Sequence, residues 1–86
     1  MFELHKLLWD IRNVPSVNAR FKQDPGEVVD AYGIEEPDRT SLMNLDFRAL
    51  YERGANPYLL YFCAIQLEVD RAQYYAQLRN EEVAGT

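Results

Sequence analysis

The chain is poor in the side chains that metal, redox and nucleophilic chemistry require. It has one histidine, His5, and one cysteine, Cys63. A facial-triad iron site needs two imidazoles, and a zinc site needs three or four nitrogen, sulfur or oxygen ligands. No metal site and no catalytic residue are therefore expected in this chain. A lone cysteine cannot close an internal disulfide, which reads as a reducing, cytoplasmic setting. Cys63 falls in an apolar run, where a buried thiol is inert. Ser16 and Ser41 have no histidine near them in sequence. Basic residues are also scarce, 9 Lys and Arg against 14 Asp and Glu, for a formal charge of −5. Such a balance argues against nucleic acid and against an anionic membrane surface, both of which want clustered cations. The apolar run Pro57 to Ile65 is far shorter than the ~20 residues that span a bilayer. Phe2 to Trp9 carries Glu3, His5 and Lys6 and does not read as a signal-peptide core. No stretch alternates with period two, and no internal repeat is visible.

What is present is helical periodicity. Phe2, Leu4, Leu7, Leu8 and Ile11 have helical spacing and predict an amphipathic helix over residues 2–12, with Trp9 off the stripe and turned toward a partner or a neighbouring segment. Val14-Pro15 ends it, because a residue before proline is pushed out of the α region. Ser16 is the expected cap of a short helix through Phe21 and Lys22. Asp24-Pro25-Gly26-Glu27 predicts a capped start, with Glu27 reaching back as in a capping box, and Gly33 closes that helix. Glu35-Glu36-Pro37 opens the next, with Leu42, Met43 and Leu45 as its apolar face.

The stretch Asp46 to Leu60 organises the rest. Asp46 caps a helix carrying Phe47, Leu50 and Tyr51 on one face. Gly54 is expected left-handed at its end, Asn56 as the next cap and Pro57 at the first helical position, which together make a tight corner. From Pro57 one long helix is expected to about Arg79, roughly 35 Å at 1.5 Å per residue. Residues 80–86 read as a frayed tail. The fold class is all-α: one domain, a compact bundle of about five to six helices with a long C-terminal helix. A chain of this mass buries only about 60–65% of its unfolded surface, so a partner is a natural way to cover more.

Candidate contact residues are few. His5 reads as a surface or hydrogen-bonding residue. Arg20, beside Phe21, either pairs with Asp24 or binds a carboxylate. Tyr58 and Tyr61 either pack or present hydroxyls to a ligand. Glu68 and Arg71 stand at i, i+3 spacing for an ion pair.

Arg20-Phe21, Asp24-Pro25, Tyr32-Gly33-Ile34, then Asp46, Leu50, Gly54 and Pro57-Tyr58-Leu59-Leu60 occur in an order that resembles the small (alpha) subunit of protocatechuate 4,5-dioxygenase, a domain also fused in related extradiol dioxygenases. The resemblance covers residues 17–60. It implies an all-helical, non-catalytic subunit that packs on a catalytic large (beta) subunit, covers its cleft and helps shape the substrate pocket. It also implies that Fe(II) is held by the large subunit and that no cofactor is held here. Arg20, Phe21, Asn56, Tyr58 and Tyr61 are then the candidate substrate or partner contacts. The rival expectation is a free-standing helical module that binds a small ligand or associates with itself.

Overall fold

The computed structural model describes residues 1–79, and over that span it contains helices and turns but no strand. In order these are α1 (Phe2–Asn13), α2 (Pro15–Gln23), α3 (Pro25–Ala31), α4 (Asp38–Met43), α5 (Phe47–Glu52), α6 (Pro57–Gln66) and α7 (Arg71–Arg79). The all-α expectation holds, but with seven helices and without the single long C-terminal one. The expected tail, residues 80–86, lies outside the described residues.

Most helix starts follow from local side-chain chemistry. Asp24 accepts from the Glu27 N–H (3.2 Å), Asp46 from the Ala49 N–H (3.1 Å), and Asn56 from the N–H groups of Tyr58 (2.9 Å) and Leu59 (3.3 Å). Each satisfies donors that a helix N-terminus leaves without a partner. Two expectations fail here. Ser16 is not a cap: Val14 occupies that position with no side-chain bond, and Pro15 is the first helical residue. Glu27 does not reach back to close a capping box, because its carboxylate is taken by Arg20. At α4, Glu36 does the capping, accepting from the Thr40 N–H (2.8 Å) and hydroxyl (2.6 Å).

Four helices stop in one way. Gly33, Leu45, Gly54 and Glu68 each take positive φ just past a helix end. Around Gly54 the Ala55 N–H returns to the Leu50 carbonyl and the Gly54 N–H to Tyr51, both at 3.0 Å. Around Glu68, Val69 returns to Ala64 (2.9 Å) and Glu68 to Ile65 (3.0 Å). These are the paired bonds of a Schellman motif, which satisfies carbonyls that the helix end would leave open. The motif at Glu68 is what breaks the expected long helix into α6 and α7. Asp70 then starts α7 by accepting from the Gln73 N–H at 3.1 Å. With the helix broken, the expected Glu68–Arg71 pair does not form; Glu68 meets Lys22 instead, at 3.3 Å. Leu45 likewise sits past α4 rather than on its face, and Met43 is 37% exposed.

A Cβ at Gly54 would meet nothing within 4 Å, while the backbone there holds φ +102°. Gly54→Ala is therefore expected to cost about 1 kcal/mol or more for conformational reasons alone. A urea melt is the check, and a midpoint equal to wild type would count against this corner.

The core is built from one stripe of each helix. Leu4, Leu7, Leu8 and Ile11 of α1 meet Leu60 and Cys63 of α6, with Phe21, Val29, Leu42, Phe47, Leu50 and Tyr74 completing it. Burial pushes the Cys63 thiol up to about 12, as expected for an inert core residue. α1 and α6 run side by side in the same direction. The Asn56 N–H donates to His5 Nε2 at 2.9 Å, the Arg12 guanidinium lies 3.7 Å from the centre of the Phe62 ring, and the Asn18 amide of α2 reaches Gln66 at 3.4 Å.

One polar group is buried in this frame. Asp10, 7% exposed, accepts from the Tyr32 hydroxyl (2.6 Å) and from Lys6 (3.0 Å), locking α1 to the end of α3. The Tyr32 hydrogen bond, with help from Lys6 and against the cost of burial, holds the carboxyl below its usual value. A depressed folded value means that the lock contributes fully above the unfolded carboxyl value of about 3.9 and is lost as pH falls through the lower folded one. Burial, and then Asp10, push Tyr32 up to about 12 from 10.0. Its contribution is complete below pH 10 and lost on rising toward 12. The stability advantage of wild type over Tyr32→Phe should therefore be flat between pH 5 and 9 and shrink at both extremes. Urea melts across pH 2.5–11.5 test this, and a pH-independent difference would contradict it.

Candidate partner-binding face

The corner between α5 and α6 places the aromatic start of α6. Asn56 caps the helix while its own N–H is held by His5, so the position of Pro57-Tyr58 is set from both α5 and α1. α6 has no charged residue, and its partners on one flank are the rings of α7. Tyr61 stands at the centre. Its ring lies 5.6 Å from Phe62, 5.7 Å from Tyr74 and 6.0 Å from Tyr75, and Tyr74 lies 5.6 Å from Tyr75. Most of these contacts are edge-on, the arrangement that ring quadrupoles favour. Together with Pro57, Tyr58 and Leu78 they line an open apolar groove of about 550 Å³.

Tyr74 forms the floor of the groove. It is 2% exposed, and its hydroxyl is buried without a hydrogen-bond partner among the described residues. Burial, together with the neighbouring Tyr75, Cys63 and Tyr61, pushes that hydroxyl up to about 12. The break at Glu68 makes this groove. A straight helix from Pro57 to Arg79 would carry Tyr74 and Tyr75 away from Tyr61. Folding back lets Tyr74 pack on Tyr61 and Phe47 together. The fold-back is held by α5. Gln77 accepts from the Phe47 N–H (3.1 Å), and Arg48 donates to the Leu78 carbonyl (3.0 Å).

Other large apolar side chains of α6 and α1 are exposed as well. Tyr58, Phe62 and Ile65 follow one another at i, i+4, i+7 along the outer side of α6. Phe2 and Trp9 lie on the outer side of the adjoining α1. Tyr58 is 75% exposed, Phe2 77% and Trp9 51%. Scattered exposed rings are ordinary, but rings gathered in one open groove between α6 and α7 mark a candidate interaction surface.

The five residues singled out in the sequence separate. Tyr58 and Tyr61 come together in the groove, and Asn56 acts one step back as the cap that positions them. Phe21 is 4% exposed and belongs to the core, beside a small hollow lined by Pro25, Met43 and Leu45. Arg20 does not sit beside the tyrosines. It lines a separate polar hollow with Gln23, Asp24 and Glu27, and its guanidinium pairs with Glu27 rather than with Asp24, whose carboxylate caps α3. Tyr74 and Tyr75 were not singled out as contacts. Their presence beside Tyr61 depends on the fold-back, and one continuous helix would carry them away from it.

The described residues do not fit an iron site. The only imidazole spends Nε2 on a backbone N–H, and among the described residues no three His, Cys, Asp or Glu side chains converge. Among the same residues no helix is long and apolar enough to cross a membrane.

Comparison with known proteins bears on this face. No curated protein and no solved structure gives a significant match. A family model, that of the LigA subunit of the aromatic-ring-opening dioxygenase LigAB, matches residues 4–85. That match spans nearly all of the chain and extends well beyond the stretch of sequence that carried the resemblance. The chain belongs to the LigA subunit family of aromatic-ring-opening dioxygenases.

Proposed function

We propose that the chain is a non-catalytic small subunit that packs through the α1–α6–α7 face on the large subunit of an extradiol aromatic-ring-cleaving dioxygenase. The observation that carries this reading is the aromatic groove between α6 and α7, left open in a chain whose family is a dioxygenase subunit. Packed there, the chain would cover the catalytic cleft and help shape the pocket for an aromatic substrate. Fe(II) belongs to the large subunit, in keeping with a donor set here that does not fit iron. The setting is aromatic-compound catabolism in the cytoplasm.

The test is co-expression with the LigB-type large subunit encoded in the same genome. Co-elution as one complex, with ring cleavage faster or more selective than that of the large subunit alone, is the expected result. Separate elution and unchanged kinetics would defeat the proposal. One observation favours a second reading, a free-standing small-ligand module: the groove volume of about 550 Å³ falls in the range of ligand pockets. That reading requires saturable binding of a small aromatic by the isolated chain, and Tyr61→Ala should abolish it.

A further inference from the structure

Among the described residues the apolar face carries positive charge and no carboxylate, although the chain as a whole is acidic. α6 has no charged residue, and α7 has no acidic one. Of the acids among the described residues, those nearest to the face in sequence are engaged. On α1, Glu3 lies 3.8 Å from the N-terminal amine, and Asp10 is held by Lys6 and Tyr32. In the α6–α7 turn, Glu68 meets Lys22, and Asp70 caps α7.

Arg12 is the exception among the cations of α1. Its guanidinium rests on the ring of Phe62, a residue that also lines the groove. Lys6, Arg20, Lys22, Arg39, Arg48 and Arg53 each meet a carboxylate. Arg12 meets none among the described residues. In water this is comfortable, since the ring attracts the cation and solvent does the rest. Under a docked surface it is not. A guanidinium shut away from water without an anion is costly, and a ring quadrupole replaces only part of a carboxylate.

Resting on the docking proposed above, we infer that Arg12 is the charged contact of this face and that the surface covering it belongs to an unlike protein that offers an Asp or Glu carboxylate there. A second copy does not fit. In a two-fold dimer the same patch meets itself, so Arg12 would face a surface that again holds cations and, among the described residues, no carboxylate. Arginine suits the role because its planar fork can stack on a ring and still present two donors to one carboxylate.

The test uses the full chain and the purified LigB-type large subunit. Binding is measured by calorimetry at low and high salt for wild type, Arg12→Gln, Arg12→Glu and Arg12→Lys, with sedimentation of the chain alone. The expected result is at least tenfold weaker binding for Arg12→Gln, a greater loss for Arg12→Glu, and a shallower salt dependence for both than for wild type. Reversing the facing carboxylate on the large subunit to lysine should restore binding to Arg12→Glu, an outcome that damage to folding cannot imitate. If wild type binds and all three variants bind within twofold of it, Arg12 is not the contact, while the docking itself stands. If the chain dimerises alone and Tyr58→Ala abolishes the dimer, a second copy covers the face and the inference is overturned. If wild type does not bind the large subunit, the docking proposal falls and takes this one with it.

Discussion

Phe47→Ala is expected to destabilise the chain by about 3–5 kcal/mol, the range for removing a fully buried aromatic ring. Phe47 is 0% exposed and stacks edge-on against Tyr74, with ring centres 5.5 Å apart. Two losses combine. The ring's own burial disappears, and Tyr74 loses a wall on the side that holds it against Tyr61. The cavity cannot easily collapse, because α5 is pinned at both ends, by the Asp46 cap and by the turn at Gly54. Small domains are stable by roughly 5–15 kcal/mol, so the variant should stay folded only at low temperature. Tyr51→Ala is the control on the same helix: Tyr51 is 47% exposed, and its removal should cost well under 1 kcal/mol. Urea melts followed by far-UV dichroism give both numbers. A Phe47→Ala loss below 1 kcal/mol would mean that α5 does not carry α7.

What could be read from the sequence follows the range of the forces involved. Helix starts were legible where a short polar side chain caps the backbone locally, as at Asp24, Asp46 and Asn56. Stops were legible where glycine marks the left-handed residue, as at Gly33 and Gly54. The break at Glu68 was not, because glutamate is no usual choice for positive φ and nothing local announces it. What holds the break is tertiary: the return of Tyr74 to Phe47 and Tyr61, and the grip of Arg48 and Gln77 across thirty residues of chain.

The candidate site divides along the same line. Tyr58 and Tyr61 were legible because a run of rings around one helix start exceeds what a small core can enclose. Of the two roles open to Arg20 in the sequence, the pairing with Asp24 does not form. Asp24 spends its carboxylate on the α3 cap, and Glu27, one turn further on, takes the guanidinium. Arg12 was passed over. Its partner Phe62 lies fifty residues away, and no pattern within α1 separates an arginine on a ring from one in water.

Tyr58→Ala is expected to weaken binding to the large subunit by about 2 kcal/mol or more, roughly thirtyfold, while leaving the isolated chain as stable as wild type. The two halves of that statement rest on one fact. Tyr58 is 75% exposed, so the folded chain gains little from its ring and loses little when it goes. Its backbone N–H is already held by the Asn56 carboxamide, and alanine keeps that bond, so the helix start survives. In a complex the same ring would be fully covered at the mouth of the groove, where aromatic anchors contribute most. Tyr61→Ala should behave differently. Tyr61 touches Phe62, Tyr74 and Tyr75, so its removal should lower stability and binding together. Calorimetric titration of the large subunit with each variant, paired with urea melts of the free chains, separates the cases. Wild-type affinity for Tyr58→Ala would place the contact elsewhere, and a parallel loss of stability would mean that the ring is part of the core.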